Sequence, residues 1–429
     1  MRISEVRLHP VAIADVPLRS SYGLHAPYAL RTIVELKTTD GLTGISETYG
    51  GDAPLAALEA VRERVTGMDP FDLAHLARDL NAEAVSADDR SQTNLVPGEN
   101  PSDQATRTFA AIEIACLDIV GKAVGKPLCD LTGGRARDEA PFSAYLFYKH
   151  GADSGEDEYG ECLDPASIVR QARQMIDRYG FREIKLKGGV LDPPVEIATI
   201  RALRAAFGPE YPLRIDPNCA WSVDTSVHVG ESLREELTAG GYLEDPTAGL
   251  GGMAEVRRRL REKGIETPLA SNVATTTFEH VPKAWQLQAV QIILSDPHYW
   301  GGIRNQQRLS HLCKVLGLGV SMHSNNHLGV SMMIMAHAAA ASEHLTHACD
   351  THYPWQTEAD EVVEGGRVPI MNGCVSLSRT RPGLGITLDY DQLARGRERY
   401  EKLPYRKRDD AAEMRKRVDP NWRRVLPRW

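Results

Sequence analysis

The chain has 429 residues, of which 42% are hydrophobic and 25% are charged. This length accommodates two domains, or one large barrel with additions, and the composition is typical of a globular protein with a sizeable core. The net charge of −8 argues against a nucleic acid or an anionic membrane as partner. A small anionic substrate stays compatible with it, because a local cationic site can outweigh the global sign.

The seven cysteines are scattered along the chain and form no C-x-x-C pair. Such a pattern is typical of reduced thiols in a cytoplasmic protein, and not of a disulfide framework or a zinc site. The N-terminal stretch lacks the uninterrupted apolar segment of a signal peptide, and no window approaches 18 apolar residues. We therefore expect a cytoplasmic protein with no membrane span.

The first third of the chain predicts an α+β capping domain over residues 1–135. Residues 2–13 and 31–48 alternate like strands, and helical patterns follow, most clearly over 106–125. The polar segment 82–105 between them predicts a long surface loop or lid.

From about residue 142, strand patterns alternate with helical patterns. The first strand candidate is SAYLFY, and Asp164 followed by Pro165 then marks the start of a helix. Eight strand candidates occur before residue 351, the last being THACD. The series predicts an α/β fold with a (β/α)8-type barrel over residues 136–375. Residues 376–429 lack this alternation of strand and helix patterns, and we expect them to return to the capping domain.

Polar side chains stand at the carboxyl ends of seven predicted strands, where active sites of such barrels lie. One such residue is more often a turn former or a helix cap. Their recurrence about every 24 to 29 residues, one βα unit each, favours a shared site. The seven residues are Lys187, Asp216, Glu244, Asn272, Asp296, His323 and Asp350.

Three of these residues predict a magnesium site. Asp216, Glu244 and Asn272 supply hard oxygen ligands, which Mg²⁺ prefers, whereas Zn²⁺ more usually takes His or Cys. Asp245 could replace Glu244, but the alternation of the strand from Tyr242 points Glu244 inward.

Lys185 and Lys187 alternate with apolar residues and so lie on one face of their strand. A solvated sheet edge is the alternative to a pair of lysines aimed into a site. An ammonium beside a divalent cation has its charged form disfavoured, so Lys187 could act as a base. His323, oriented by Asp296, could act from the opposite side. Two such bases suit removal of a proton next to a carboxylate, followed by racemisation or by loss of a β-hydroxyl.

These residues fall within motifs through which the chain resembles the enolase superfamily, and within it the glucarate dehydratase group of the mandelate racemase branch. The resemblance covers nearly the full length. The motifs include KLKGG (185–189), DPN (216–218), EDP (244–246), SNVAT (271–275), DPHYW (296–300), HSNNH (323–327), DTHYPWQ (350–356) and RDDA (408–411).

The resemblance implies a role for each residue. Lys187 would take the α-proton, His323 with Asp296 would serve as second base and acid, and Lys185 would contact the substrate carboxylate. Leu250 lies near the place where glucarate dehydratases carry a second acidic residue at the metal. Substrate contacts would come from His25, Tyr145, Lys185, Asn218, Ser324, Asn325, His352 and Arg408.

The implied activity is that of an Mg²⁺-dependent hydro-lyase that converts an acid sugar, D-glucarate or a relative, into a keto-deoxy sugar acid. A racemase or epimerase with the same residues is an alternative, and so is a catalytically weak paralogue. A nucleotide-binding enzyme is excluded because no phosphate-binding loop is present. A homo-oligomer is expected, with a small acid sugar as its ligand.

Overall fold

A computed structural model of the protein describes residues 1–80, 103–152, 157–237 and 240–429. Almost all of the predicted lid, 82–105, lies outside the described residues. The N-terminal elements are β1 (Ile3–Ala14), β2 (Arg19–Ser20), β3 (Gly23–Leu24), β4 (Tyr28–Thr38), β5 (Thr43–Tyr49), α1 (Asp52–Val65), α2 (Leu73–Asp79) and α3 (Asp103–Val124).

The N-terminal unit is a three-stranded antiparallel sheet in the order β1-β4-β5, with α3 packed on it. Two side-chain bonds tie α3 to β5. The backbone N–H of Ile45 donates to Asp118 Oδ2 at 2.9 Å, and the Ser46 hydroxyl donates to the carbonyl of Ala111 at 2.7 Å. Both strand residues are buried, so polar groups of the strand are satisfied where water is excluded.

Alternating strands and helices follow and confirm the predicted α/β barrel. In chain order they are β6 (Glu139–Pro141), β7 (Ala144–Phe147), α4 (Pro165–Tyr179), β8 (Ile184–Lys187), α5 (Pro193–Phe207), β9 (Leu213–Asp216), α6 (Val223–Ser232), β10 (Tyr242–Glu244), α7 (Gly249–Glu262), β11 (Leu269–Ser271), α8 (His280–Gln286), β12 (Ile292–Ser295), α9 (Ile303–Leu316), β13 (Gly319–Met322) and α10 (Gly329–Ala341).

Seven of these strands form one curled parallel sheet, in the order β13-β12-β11-β10-β9-β8-β7. The eighth position holds residues 346–350, which make a few separate backbone hydrogen bonds to each edge instead of a continuous ladder. Asp350 N–H donates to the carbonyl of Met322 at 2.8 Å, and Ser143 N–H donates to the carbonyl of Cys349 at 2.9 Å. The predicted strand THACD is therefore only an isolated bridge, between Phe142 and Cys349, but it closes the ring.

The start of α4 confirms the predicted cap. The Asp164 carboxylate accepts from the backbone N–H of Ser167 at 2.9 Å, the Ser167 hydroxyl accepts from the backbone N–H of Asp164 at 3.1 Å, and Pro165 begins the helix. This reciprocal pair satisfies two backbone donors that the first turn would otherwise leave unbonded.

The C-terminal elements are β14 (Cys374–Ser376), α11 (Tyr390–Lys402) and α12 (Asp410–Arg417). Helix α11 packs on β1, where Arg399 Nε donates to the carbonyl of Ala12 at 3.1 Å, and α12 packs on β3. The segment thus contacts the N-terminal unit, while the boundaries at residues 135 and 375 stay a prediction. None of the helices within the described ranges has the length and apolar character needed to cross a membrane.

Candidate active site

Lys185 lies inside the barrel and contacts carboxylates from three other positions. Its Nζ lies 2.5 Å from Asp350 Oδ2, 2.6 Å from Glu244 Oε2 and 3.4 Å from Asp216 Oδ2. All four side chains are fully buried. A solvated sheet edge is therefore excluded for this lysine.

Lys187 stands beside Asp216 on the neighbouring strand. The two residues are partners in the β8–β9 register, and Lys187 Nζ lies 2.6 Å from Asp216 Oδ2. The Tyr145 ring faces both ammonium groups, with its centroid 4.7 Å from Lys185 Nζ and 5.8 Å from Lys187 Nζ. Its hydroxyl donates to Asp216 Oδ2 at 3.3 Å, so Tyr145 packs against the lysine pair and the carboxylate at once.

The pKa values of the two central carboxyl groups, Asp216 and Glu244, are shifted in opposite directions. Burial opposes ionisation of Asp216, but the ammonium groups of Lys187 and Lys185 hold its pKa well below the usual range. Burial, and next the charge of Asp216, raise the pKa of Glu244 well above the usual range. Burial also raises the pKa of Asp245, to about 6. The cluster therefore has more carboxyl groups than its two lysines can neutralise, which favours an additional cation.

The Asn272 side chain meets two of these carboxylates. Its terminal amide atoms lie 3.2 Å from Glu244 Oε1, 3.0 Å from Asp245 Oδ2 and 3.2 Å from His323 Nε2. Without a cation, the amide nitrogen must face the carboxylates and the amide oxygen must accept from His323. With the oxygen turned inward, an amide oxygen joins the carboxylate oxygens of Glu244 and Asp245, and oxygens of these two kinds are ligands that Mg²⁺ prefers.

Glu244 Oε2 adds a second sign of a cation site. Lys185 Nζ is close to it, but out of hydrogen-bonding alignment, so this buried oxygen has no hydrogen-bond partner in the described part of the chain. Among described residues, no three His, Cys, Asp or Glu side chains alone form a metal-holding group. The physical reason is that the third ligand here would be an amide, and that both lysines contact the carboxylates.

His323 and Asp296 lie together at the ends of β13 and β12, as predicted. His323 Nδ1 is 3.3 Å from Asp296 Oδ2. Burial opposes ionisation of Asp296, but His298 and His323 hold the pKa of its carboxyl well below the usual range. The Tyr49 hydroxyl, from β5, donates to Asp296 Oδ2 at 3.5 Å. The imidazole of His323 is thus held by a carboxylate and faces Asn272 with its other nitrogen.

A line of contacts crosses the barrel mouth from one predicted base, Lys187, to the other, His323. Each contact in the line joins two neighbouring side chains at 2.6 to 3.4 Å. Five strand ends contribute to this line, and its members share the interior face of the sheet. In order they are Lys187, Asp216, Lys185, Glu244, Asn272 and His323.

Several predicted substrate residues gather on one side of this line. His352 and Tyr145 pack with ring centroids 4.9 Å apart, and the Ser324 hydroxyl lies 3.3 Å from His352 Nδ1. His25 and His352 both pack against Phe147, at 6.1 Å and 5.1 Å between centroids. Burial, and next the charge of His25, lower the pKa of His352 well below its usual range, so His352 is neutral here.

Arg408 links the C-terminal segment to both other parts of the chain. Its guanidinium donates to Asp410 Oδ2 at 3.0 Å, to Asp15 Oδ2 at 3.2 Å and to Asn326 Oδ1 at 2.9 Å. His25 shares the same Asp15 oxygen at 2.9 Å. The structure thus places Arg408 and His25 in one network at the junction of the cap and the barrel.

Two further predicted residues contact the N-terminal unit. Asn325 Nδ2 donates to the Tyr49 hydroxyl at 3.0 Å, and the Ser21 hydroxyl donates to the carbonyl of Asn218 at 3.2 Å. Asn218 also has a left-handed backbone, with φ 45°, and its N–H donates to Asp216 Oδ1 at 3.0 Å. Asn325 therefore joins the site to β5 of the capping sheet, and Asn218 joins it to the turn between β2 and β3.

Sequence reasoning assigned no role to His298 or Tyr49. His298 Nδ1 lies 2.5 Å from Asp296 Oδ1, and Tyr49 contacts Asp296 and Asn325. A signal existed for His298, because it lies two residues after Asp296 in the motif DPHYW. No local pattern marks Tyr49, which ends a strand far away in the sequence.

Two family models match the chain. "Mandelate racemase / muconate lactonizing enzyme, N-terminal domain" matches residues 3–133, and "Enolase C-terminal domain-like" matches residues 167–393. The chain belongs to the enolase superfamily. It is an α/β-barrel enzyme with an N-terminal capping domain.

The resemblance to the glucarate dehydratase group is confirmed by a full-length relative. A "Probable glucarate dehydratase" of Streptomyces coelicolor is 43% identical over 100% of this chain and 99% of its own length. A solved enolase from Pseudomonas fluorescens Pf0-1, with bound magnesium, potassium and tartrate, is 45% identical, covers 100% of this chain and 99% of its own, and has a TM-score of 0.92. An enolase from Thermobispora bispora, complexed with magnesium and formate, is 46% identical over 100% of both chains, also with a TM-score of 0.92.

Proposed function

We propose that the protein is an Mg²⁺-dependent acid-sugar dehydratase that acts on D-glucarate or a close relative. Lys187, in its neutral form, would take the proton from the carbon next to the substrate carboxylate. His323 would protonate the β-hydroxyl as it leaves as water. The resulting enol would tautomerise to a keto-deoxy sugar acid.

The observation that carries this proposal is the unbroken line of contacts from Lys187 to His323. Removal of the α-proton and protonation of the departing hydroxyl are two separate proton transfers, which two groups on different sides of the bound substrate can perform. Lys187 and His323 stand at opposite ends of the line, with the oxygen donors between them. A scaffold protein has no need of buried lysines inside its barrel.

The residues present fit a divalent cation. Asp216, Glu244 and Asn272 would hold Mg²⁺, since the first two are carboxylates and the amide of the third lies 3.2 Å from Glu244 Oε1, where its oxygen can turn inward. Asp245, 3.0 Å from the Asn272 amide, is the other acid within reach. When bound, Mg²⁺ would supply the positive charge that stabilises the negative charge developing on the substrate carboxylate.

A small polyhydroxy acid is the substrate class that suits the surrounding side chains. Ser324, Asn325, His352 and Tyr145 offer hydroxyl, amide and imidazole groups, which suit hydroxyl groups of a sugar acid. The solved relative from Pseudomonas fluorescens Pf0-1 was crystallised with tartrate, a small dihydroxy diacid, which supports the same class here.

The test is to incubate the purified protein with Mg²⁺ and a panel of aldarates and aldonates, and to assay 2-keto acids. We expect a keto-deoxy acid from D-glucarate or a diacid of related stereochemistry. Turnover of a monoacid alone would exclude the glucarate assignment and keep the reaction class. Deuterium entering recovered substrate from D₂O, without any keto acid, would show a racemase or epimerase instead. Mg²⁺ binding with no turnover of any acid would indicate the catalytically weak paralogue.

A further inference from the structure

The Asp296 carboxylate serves two imidazoles, and the second one has no role in the scheme above. His298 Nδ1 lies 2.5 Å from Asp296 Oδ1, and the backbone N–H of His298 donates to the same oxygen at 2.8 Å. His323 Nδ1 lies 3.3 Å from the other oxygen, Oδ2. His298 is only 4% exposed, so this contact is made away from water.

The other ring nitrogen of His298 is also engaged. His298 Nε2 lies 2.7 Å from the hydroxyl of Ser331, which lies in the first turns of α10. The backbone N–H of Ser331 donates to Glu47 Oε2 at 2.9 Å. Glu47 lies on β5 and pairs with Arg31 at 2.7 Å. A series of buried contacts therefore runs from the capping sheet through Ser331 and His298 to Asp296.

These contacts determine which way the Asp296 carboxylate faces. Two donors from His298 hold Oδ1, so Oδ2 is turned to His323 and to the Tyr49 hydroxyl. Without the His298 ring, one backbone bond would remain on Oδ1, and the carboxylate could rotate. The hydrogen bond from His323 Nδ1 to Asp296 Oδ2 keeps a proton on Nδ1. If the carboxylate rotated, this bond would be lost, and the proton could occupy either ring nitrogen.

We infer that His298 is a positioning residue that, held by Ser331, orients the Asp296 carboxylate toward His323. The inference rests on the proposed function for the role of His323 as the acid. It adds a residue outside the line of contacts, and it links the dyad to β5 of the capping sheet.

Two amide variants, His298→Asn and His298→Gln, distinguish a role in orienting the Asp296 carboxylate from a role in packing alone. In His298→Asn the amide nitrogen can take the place of Nδ1 toward Asp296, whereas in His298→Gln it takes the place of Nε2 toward Ser331. We expect His298→Asn to keep dehydration within about tenfold of the wild type, and His298→Gln to lose about 100-fold in kcat with little change in KM. Exchange of the α-proton with D₂O on the Lys187 side should persist in both variants. Equal rates in the two variants, or losses that follow their melting temperatures, would overturn the inference.

A second readout needs no turnover. In Mg²⁺-loaded protein labelled with ¹⁵N-histidine, where the Asn272 oxygen faces the cation and its nitrogen faces His323 Nε2, the His323 ring, assigned by its absence in His323→Asn, should show a proton fixed on Nδ1 in the wild type and in His298→Asn. In His298→Gln it should show a mixture of tautomers. An unchanged His323 spectrum in His298→Gln would overturn the inference. Should the wild type convert no acid sugar, the proposed function fails, while this spectrum still decides whether His298 orients the pair.

Discussion

Lys187 and Asp216 are register partners on adjacent parallel strands, and their side chains meet at 2.6 Å inside the barrel. This pairing brings a cationic group of the proposed acid–base chemistry against a proposed metal ligand. Successive side chains of a strand point to opposite faces, so Lys185 and Lys187, two residues apart on β8, lie on the same face. The same Asp216 also receives the Tyr145 hydroxyl, so one carboxylate organises a lysine pair and an aromatic ring.

Loss of the Asn272 amide should weaken Mg²⁺ binding. In Asn272→Leu, the carboxylates of Glu244 and Asp245 lose the amide that faces both, and one oxygen ligand disappears. We expect Mg²⁺ to raise the melting temperature of the wild type, and to raise that of Asn272→Leu only at concentrations about tenfold or more higher. Differential scanning fluorimetry over a Mg²⁺ series measures this.

The matched control is Asn421→Leu, because Asn421 is exposed and lies in the C-terminal segment. Its Mg²⁺ response should equal that of the wild type. Identical Mg²⁺ responses in Asn272→Leu and the wild type would exclude Asn272 as a ligand.

Stability should fall with rising pH through the titration of Glu196. Burial raises the pKa of Glu196 from 4.5 to about 7, although its carboxylate accepts N–H bonds at 2.9 to 3.0 Å from residues 189–191. The folded state therefore keeps a proton that the unfolded state releases, and the free energy of unfolding decreases between pH 4.5 and about 7 by roughly 3 kcal/mol. This loss is complete above pH 7 and absent below 4.5.

The variant Glu196→Gln cannot titrate, so its stability relative to the wild type should improve by roughly this amount between pH 5 and pH 8. Urea unfolding of both proteins at four pH values in this range measures the difference. Parallel pH dependences would show that Glu196 does not titrate there. Any constant offset from the altered hydrogen bonds of the amide does not affect the comparison.

Gly189, in the turn after Lys187, should tolerate no side chain. Its φ is +71°, and a Cβ would lie 2.3 Å from the carbonyl oxygen of Pro217. We expect Gly189→Ala to lower the free energy of unfolding by about 2 to 4 kcal/mol, because strain and a backbone clash add. The control is Gly264→Ala, with φ +72° and no atom within 4 Å of the added Cβ, which should cost about 1 kcal/mol. Equal losses in the two variants would mean that the turn after Lys187 adjusts freely.

The positions of Asp216, Glu244, Asn272 and His323 could be predicted because parallel strands bring their carboxyl ends to one edge. Spacing along the chain then becomes proximity in space. The role of Asp350 could not be predicted in the same way. Its place at the end of the eighth predicted strand followed from the spacing, but its contact with Lys185 depends on the separate hydrogen bonds through which residues 346–350 close the ring. No sequence pattern marks those bonds.

The contact between His298 and Asp296 could not be predicted from the spacing of strands along the chain. It depends on which carboxylate oxygen each imidazole takes, and on Ser331 and Glu47 from distant elements. Such tertiary contacts leave no pattern at helix or strand spacing.

The most direct test of the central claim is the rate at which Lys187→Ala converts an acid sugar that the wild type dehydrates in the presence of Mg²⁺. The variant removes the only side chain proposed to take the α-proton, and it leaves Asp216, Glu244 and Asn272 in place. We expect keto-acid formation and α-proton exchange on the Lys187 side to fall at least about 1,000-fold, while Mg²⁺ still raises the melting temperature. Full activity in Lys187→Ala, with Mg²⁺ binding intact, would contradict the account.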